Sequence, residues 1–136
     1  MPRVELDFPD DIFTFSTELT VRFDDINIGH HLGNDRLVSL LGEARSQFLA
    51  DRGIAEVGSP GTVVADLVVT YRAEARLRDR LRFDIGIGER HKYGGQLAYR
   101  VVRESDGALI ALAATGLLFY DYDQQRVTAP PEAFLA

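Results

Sequence analysis

The chain contains no cysteine. That single absence excludes a disulfide framework, thiolate metal ligation and a cysteine nucleophile, and it fits a reducing cytoplasm. Long apolar runs are missing too: nothing approaches the roughly 18 residues needed to span a bilayer. Met1 to Thr20 carries several acids and no apolar block, so neither a signal peptide nor a transit peptide is expected there. Positive charge is in short supply, with 15 Lys and Arg against 21 Asp and Glu, for a net charge of -6. Such a surface repels nucleic acid and anionic membranes, and neither is expected as a partner. No repeat, low-complexity tract or linker interrupts the 136 residues, which form one expected domain over 1–136. The 46% hydrophobic content is enough for one packed core.

The hydrophobic pattern changes period along the chain. From Ile12 to Phe23, Phe13, Phe15, Leu19, Val21 and Phe23 alternate with Thr14, Ser16, Glu18, Thr20 and Arg22. Period two predicts a strand with one buried face. A polar loop from Asp24 to Gly33 follows, and Asn34 is the expected N-cap of a helix with Asp35 in its first turn. Leu37, Leu40, Leu41, Ala44, Phe48 and Leu49 recur at helical spacing, and Gly53 is the expected stop.

Four more strands are predicted after it: Thr62 to Ala73, one centred on Leu81 to Ile87, Gln96 to Arg103, and Gly107 to Tyr120. The implied class is α+β, an antiparallel five-stranded sheet wrapped around one long central helix. Ala108 to Tyr120 is apolar on both faces. One chain of this size offers too few elements to cover it twice, so a homo-oligomer, dimer or tetramer, is expected to do so.

Chemistry concentrates between the first strand and the helix, in Val21-Arg22-Phe23-Asp24-Asp25-Ile26-Asn27-Ile28-Gly29-His30-His31-Leu32-Gly33-Asn34-Asp35-Arg36. Titratable groups gathered there meet the N–H donors and dipole of a helix N-terminus, a natural place to stabilise an oxyanion. Adjacent His30 and His31 lack a third ligand at helical spacing, so no metal site is expected.

In this stretch the sequence resembles the hotdog thioesterases of the 4-hydroxybenzoyl-CoA thioesterase type. Arg22, Phe23, Asp25, His31, Asn34 and Arg36 match that family's pattern in register. So do Glu43-Ala44-Arg45, Tyr71-Arg72-Ala73, Gly107 with Ala111, and the closing Pro131-Glu132-Ala133-Phe134-Leu135. The resemblance implies a hotdog fold and hydrolysis of acyl-CoA or acyl carrier protein thioesters, with coenzyme A entering only as part of the substrate. One departure changes the mechanism. The family's usual nucleophile or base is the second acid of an Asp-x-Asp pair, and that position holds Asn27. A neutral amide is neither base nor nucleophile.

Three groups stand as alternatives for the base. Asp25 lies two residues upstream. His31 supplies an imidazole, the side chain most often used as a general base. Glu43, set among Leu40, Leu41 and Ala44, would be a desolvated carboxylate. Asn27 with His31 resembles the water-positioning pair of plant acyl carrier protein thioesterases, and the backbone N–H of Asn34 is the expected oxyanion donor. Asp25-Ile26-Asn27-Ile28-Gly29-His30 also resembles the Asp-x-Asn-x-x-His of hotdog enoyl-CoA hydratases, a reading that requires His30 in the pocket. A non-catalytic acyl-CoA-binding module is the third reading. Arg80, Arg82, Arg90 and Lys92 are the expected contacts for the coenzyme A phosphates.

Overall fold

The computed structural model describes residues 2–136. A 3₁₀ turn at Asp10–Ile12 leads into β1 (Phe15–Thr20). A second 3₁₀ turn at Phe23–Asp25 precedes α1 (Asn34–Asp51). Then come β2 (Gly61–Tyr71), β3 (Arg80–His91), β4 (Gly94–Arg103), β5 (Leu109–Asp121), a two-residue β6 (Arg126–Val127) and α2 (Glu132–Leu135). The order across the sheet is β1-β3-β4-β5-β2, antiparallel throughout, with β6 beside β5. The α+β class and the five principal strands are as the pattern predicts; β6 is additional. The first strand is shorter than its alternation suggests. Ile12 belongs to the 3₁₀ turn, and Phe23 has left the ladder and is 78% exposed rather than buried.

The six apolar residues predicted for the helix face are its six buried ones, packed against the inner surface of the curled sheet. Leu81, Phe83 and Ile85 of β3 and Leu97, Tyr99 and Val101 of β4 line that surface and are fully buried. Deleting one such side chain to alanine costs about 2–5 kcal/mol, so this layer dominates the stability. The helix ends where Gly53 takes φ +72. Gly53 N–H donates to Ala50 O and Ile54 N–H to Leu49 O, the paired bonds of a Schellman turn.

At the other helix end the expectation needs correcting. Gly33, not Asn34, is the N-cap; Asn34 is the first helical residue, and no side chain caps the terminus. Gly33 is held in place by its own N–H, which donates to Asp25 O, and by its carbonyl, which accepts from Leu37 N–H. A Cβ there would sit 2.8 Å from Asp35 Oδ1.

The doubly apolar β5 is also not where an apolar surface remains. Lying between β4 and β2, it is buried or half-buried along its whole length within one chain. The uncovered apolar strand is β2, at the sheet edge, where Val63, Val64, Leu67, Val68 and Tyr71 are each more than a third exposed. The helix packs on β1 and β3, at the opposite side.

On the outer face the chain's own N-terminal segment crosses β3. Gly86 admits it: a Cβ there would lie 1.8 Å from Ile12 O. Beside it Asp84 is 2% exposed and accepts from Ser16 Oγ at 2.6 Å, Arg82 Nε at 2.9 Å and Arg100 Nε at 2.9 Å. Arg100 also reaches Asp10 at 2.8 Å and stacks over Phe13, 4.4 Å from the ring centre. Burial opposes ionisation of Asp84, but these three donors together outweigh it and hold the carboxyl below its ordinary range.

Asp84→Asn is therefore expected to lower unfolding free energy by about 3 kcal/mol, because it leaves two guanidinium groups facing an amide. A depressed carboxyl contributes its stability above the unfolded-state pKa and loses it as pH falls through the folded value. The gap between wild type and Asp84→Asn should thus be full at neutral pH and close in acid. Urea titrations at pH 7 and below 4 measure both.

Candidate active site

The site starts as a turn. Ile26 and Leu32 form a single antiparallel bridge, and Asn27 N–H donates to His31 O at 2.9 Å. Asn27 Oδ1 accepts from Gly29 N–H at 2.9 Å and, more weakly, from His31 N–H at 3.4 Å. The amide oxygen of Asn27 is thus spent on shaping the turn, leaving its N–H₂ as the group available to a ligand. At the tip His30 adopts φ +67 and is exposed. Beside glycine, Asn, Asp and His are the residues enriched in that conformation. His31, by contrast, is half-buried.

Two bonds dock this turn. Leu32 N–H donates to Ala75 O at 2.8 Å, and Gly33 N–H to Asp25 O at 3.0 Å. They bring the turn, the helix N-terminus and the segment after β2 around one cavity of about 290 Å³. His31, Asn34, Tyr71, Arg72 and Glu74 give it polar walls, and Leu37 and Ile110 an apolar floor. Among the described residues nothing accepts the backbone N–H of Asn34, so the positive end of α1 opens here.

Tyr71 Oη donates to Asn34 O at 2.9 Å. Burial, reinforced by the Asp35 carboxylate, pushes the Tyr71 phenol above its ordinary value, so it stays a donor. Sequence reasoning noted Tyr71 only as part of a family match and overlooked Glu74 altogether.

The other candidates lie elsewhere. Asp25 is 1% exposed. Its Oδ2 accepts from Arg22 N–H at 2.8 Å, and its Oδ1 faces Arg36 Nε and Nη2 at 3.4 Å. It borders a separate cavity on the far side of α1, together with Arg36 and Glu43. Glu43 is not packed among leucines. It sits on the exposed face of the helix, one position from buried Ala44, and accepts from Gln47 Nε2 at 2.7 Å.

The four predicted phosphate contacts do not form one patch. Arg80 and Arg82 begin β3, while Arg90 and Lys92 lie at and just past its end. Eight residues of strand separate Arg82 from Arg90, roughly 27 Å. Arg82 is paired with Asp84 and Glu104, Arg80 with Glu18, and Arg90 donates to Phe134 O and Ala136 O. None of the four lines the cavity. Arg72 does, and among the described residues it has no acidic partner.

Replacing Asp25 with Asn is expected to lower stability by about 2 kcal/mol, the worth of hydrogen bonds to a charged group that is otherwise buried. The melting temperature of the Asp25→Asn variant, read beside that of an exposed control such as Asp24→Asn, measures it.

A model of the thioesterase-like superfamily matches residues 21–136. No curated protein matches the chain. Solved structures share its fold at low identity. Slr0204, a 1,4-dihydroxy-2-naphthoyl-CoA thioesterase from Synechocystis, has a TM-score of 0.81 and 17% identity, over 89% of this chain and 92% of its own. SAV2348 from Staphylococcus aureus, solved in complex with CoA, has a TM-score of 0.82 and 19% identity, over 89% and 78%. A DHNA-CoA thioesterase from the same organism has a TM-score of 0.76 and 15% identity, over 84% and 78%. The curled sheet around one long helix is the hotdog fold of these proteins.

Proposed function

This chain belongs to the thioesterase-like superfamily, and on that premise we propose that it hydrolyses acyl-CoA thioesters by direct attack of water. The observation that carries the reading is the meeting of His31 and the open N–H of Asn34 on one cavity. The Asn34 N–H, backed by the helix dipole, receives the thioester carbonyl oxygen and the charge that develops on it. His31 takes a proton from water as its oxygen bonds to the carbonyl carbon. The tetrahedral intermediate then expels the thiolate, which recovers that proton, and the carboxylic acid is released. The attacking water is held by the N–H₂ of Asn27, which does not itself line the cavity but belongs to the turn that presents His31 to it. Asp25, saturated by Arg22 and Arg36, keeps the turn in place instead of serving as base.

Coenzyme A is favoured over acyl carrier protein by the CoA held in the SAV2348 structure. Arg72 is the basic group at the cavity suited to its phosphates. Hydration of an enoyl thioester would require His30 in the cavity, and His30 stands exposed at the turn tip instead. The cysteine-free composition suits a cytoplasmic enzyme, and among the described residues no helix is long and apolar enough to cross a membrane.

A panel of short, long and aromatic acyl-CoAs, with crotonyl-CoA hydration as counter-assay, tests the activity. His31→Ala should lower kcat by about 10²–10⁴ with melting temperature nearly unchanged. Asn27→Asp should lower activity, since it removes the donor that holds the water. A severalfold rise would instead reveal a weakened version of the carboxylate mechanism. Stabilisation by acyl-CoA with no turnover would leave a binding module.

The active form is proposed to be a homodimer at least. Support comes from β2, an unpaired sheet edge that is apolar on both faces and ends at Tyr71 on the cavity wall. Light scattering at micromolar concentration should give at least twice the chain mass of 15.1 kDa. Leu67→Lys should reduce that mass, and a wild-type monomer would overturn the assembly.

A further inference from the structure

We infer that Glu74 is the positioning carboxylate of His31, supplying from across the cavity the negative charge that position 27 lacks. This inference rests on the reading of His31 as base. Glu74 Oε1 lies 3.6 Å from His31 Nε2, ion-pair range but longer than a hydrogen bond. Its second oxygen, Oε2, is 3.4 Å from Arg76 Nη2.

The approach is built from both sides. The Leu32 N–H to Ala75 O bond sets the residues next to His31 and Glu74 against each other. Arg103 Nη1 donates to Glu74 O at 2.8 Å, and Arg103 is itself held by two bonds of 3.0 Å to Asp106. Gly29 stands against the same end of the imidazole. A Cβ there would be 3.0 Å from His31 Nε2 and 3.3 Å from Asn27 Oδ1, so a bare residue leaves the ring its place facing Glu74.

The chemistry follows from the two imidazole nitrogens. A carboxylate beside Nε2 favours the proton on that atom, which leaves the Nδ1 lone pair to accept the proton of water. The same carboxylate then stabilises the imidazolium that forms, without taking the proton itself. Glu74 is 58% exposed, so solvent screens it and the effect is smaller than that of a buried partner.

The test combines steady-state kinetics with ¹⁵N–¹H spectra of the imidazoles, the signals of His30 and His91 being assigned through His30→Gln and His91→Gln. Glu74→Ala should lower kcat about tenfold and leave KM within twofold. Glu74→Asp should restore most of the loss and Glu74→Gln little of it. The His31 ring signals should move in Glu74→Ala while those of His30 and His91 stay. Arg76→Ala, which breaks the other half of the Glu74 fork but leaves the carboxylate beside His31, should lower kcat clearly less than Glu74→Ala.

Unchanged kcat and His31 signals in Glu74→Ala, or an equal loss in Arg76→Ala, would overturn the assignment while leaving thioester hydrolysis intact. Moving His31 signals in a protein that hydrolyses no thioester would uphold the pairing and defeat the hydrolytic reading instead.

Discussion

One helix has to cover a five-stranded sheet, and the rest of the molecule follows from the mismatch. A helix with its side chains is about 10–12 Å across. Five strands at 4.7–4.9 Å spacing present a surface about 19 Å wide between the outermost backbones. Curling the sheet lets α1 bury its six apolar residues against β1 and β3. β2 meets the helix at its last residue, where Tyr71 Oη donates to Asn34 O. An apolar strand is left at one edge, and beside it a cavity opens at the helix N-terminus. The uncovered surface and the candidate active site are therefore two consequences of one geometric shortage.

Two buried carboxylates keep the peripheral segments in register with that core. Asp84 gathers Ser16, Arg82 and Arg100 on the outer face, and through Arg100 it ties down the N-terminal segment at Asp10 and Phe13. Asp25 gathers the Arg22 N–H and the Arg36 side chain, joining the turn that carries Asn27 and His31 to the first turn of α1. Among the described residues no buried side-chain nitrogen or oxygen lacks a partner. This explains how an acidic protein tolerates charges inside: each is surrounded by donors, and the cost of desolvation is offset locally.

The turn that carries Asn27 shows how a neutral amide can shape a site. Asn27 Oδ1 performs the backbone-capping task that an aspartate oxygen can also perform, so the turn needs no charge at that position. What the side chain offers a ligand is a donor rather than a carboxylate. The carboxylate among the residues lining the cavity is that of Glu74, which follows β2.

Most of the architecture was legible in one dimension because it is written in local periodicity. The 3.6-residue repeat of Leu37 to Leu49 and the turn glycine at 53 follow from backbone geometry alone, and both are found as predicted. So is the location of the polar turn between β1 and α1. What the chain order could not reveal is anything settled by register across the sheet. The apolar count of β5 and β2 is similar, yet one is interior and the other an edge, and only strand order decides which is covered. Arg80 and Lys92 are near in sequence and far apart in space, because an extended chain gains about 3.4 Å per residue. His31 and Glu74 are distant in sequence and neighbours in space, because a single backbone bond from Leu32 to Ala75 brings their segments together. Local patterning determined the elements, whereas hydrogen bonds between distant segments decided which side chains face the cavity.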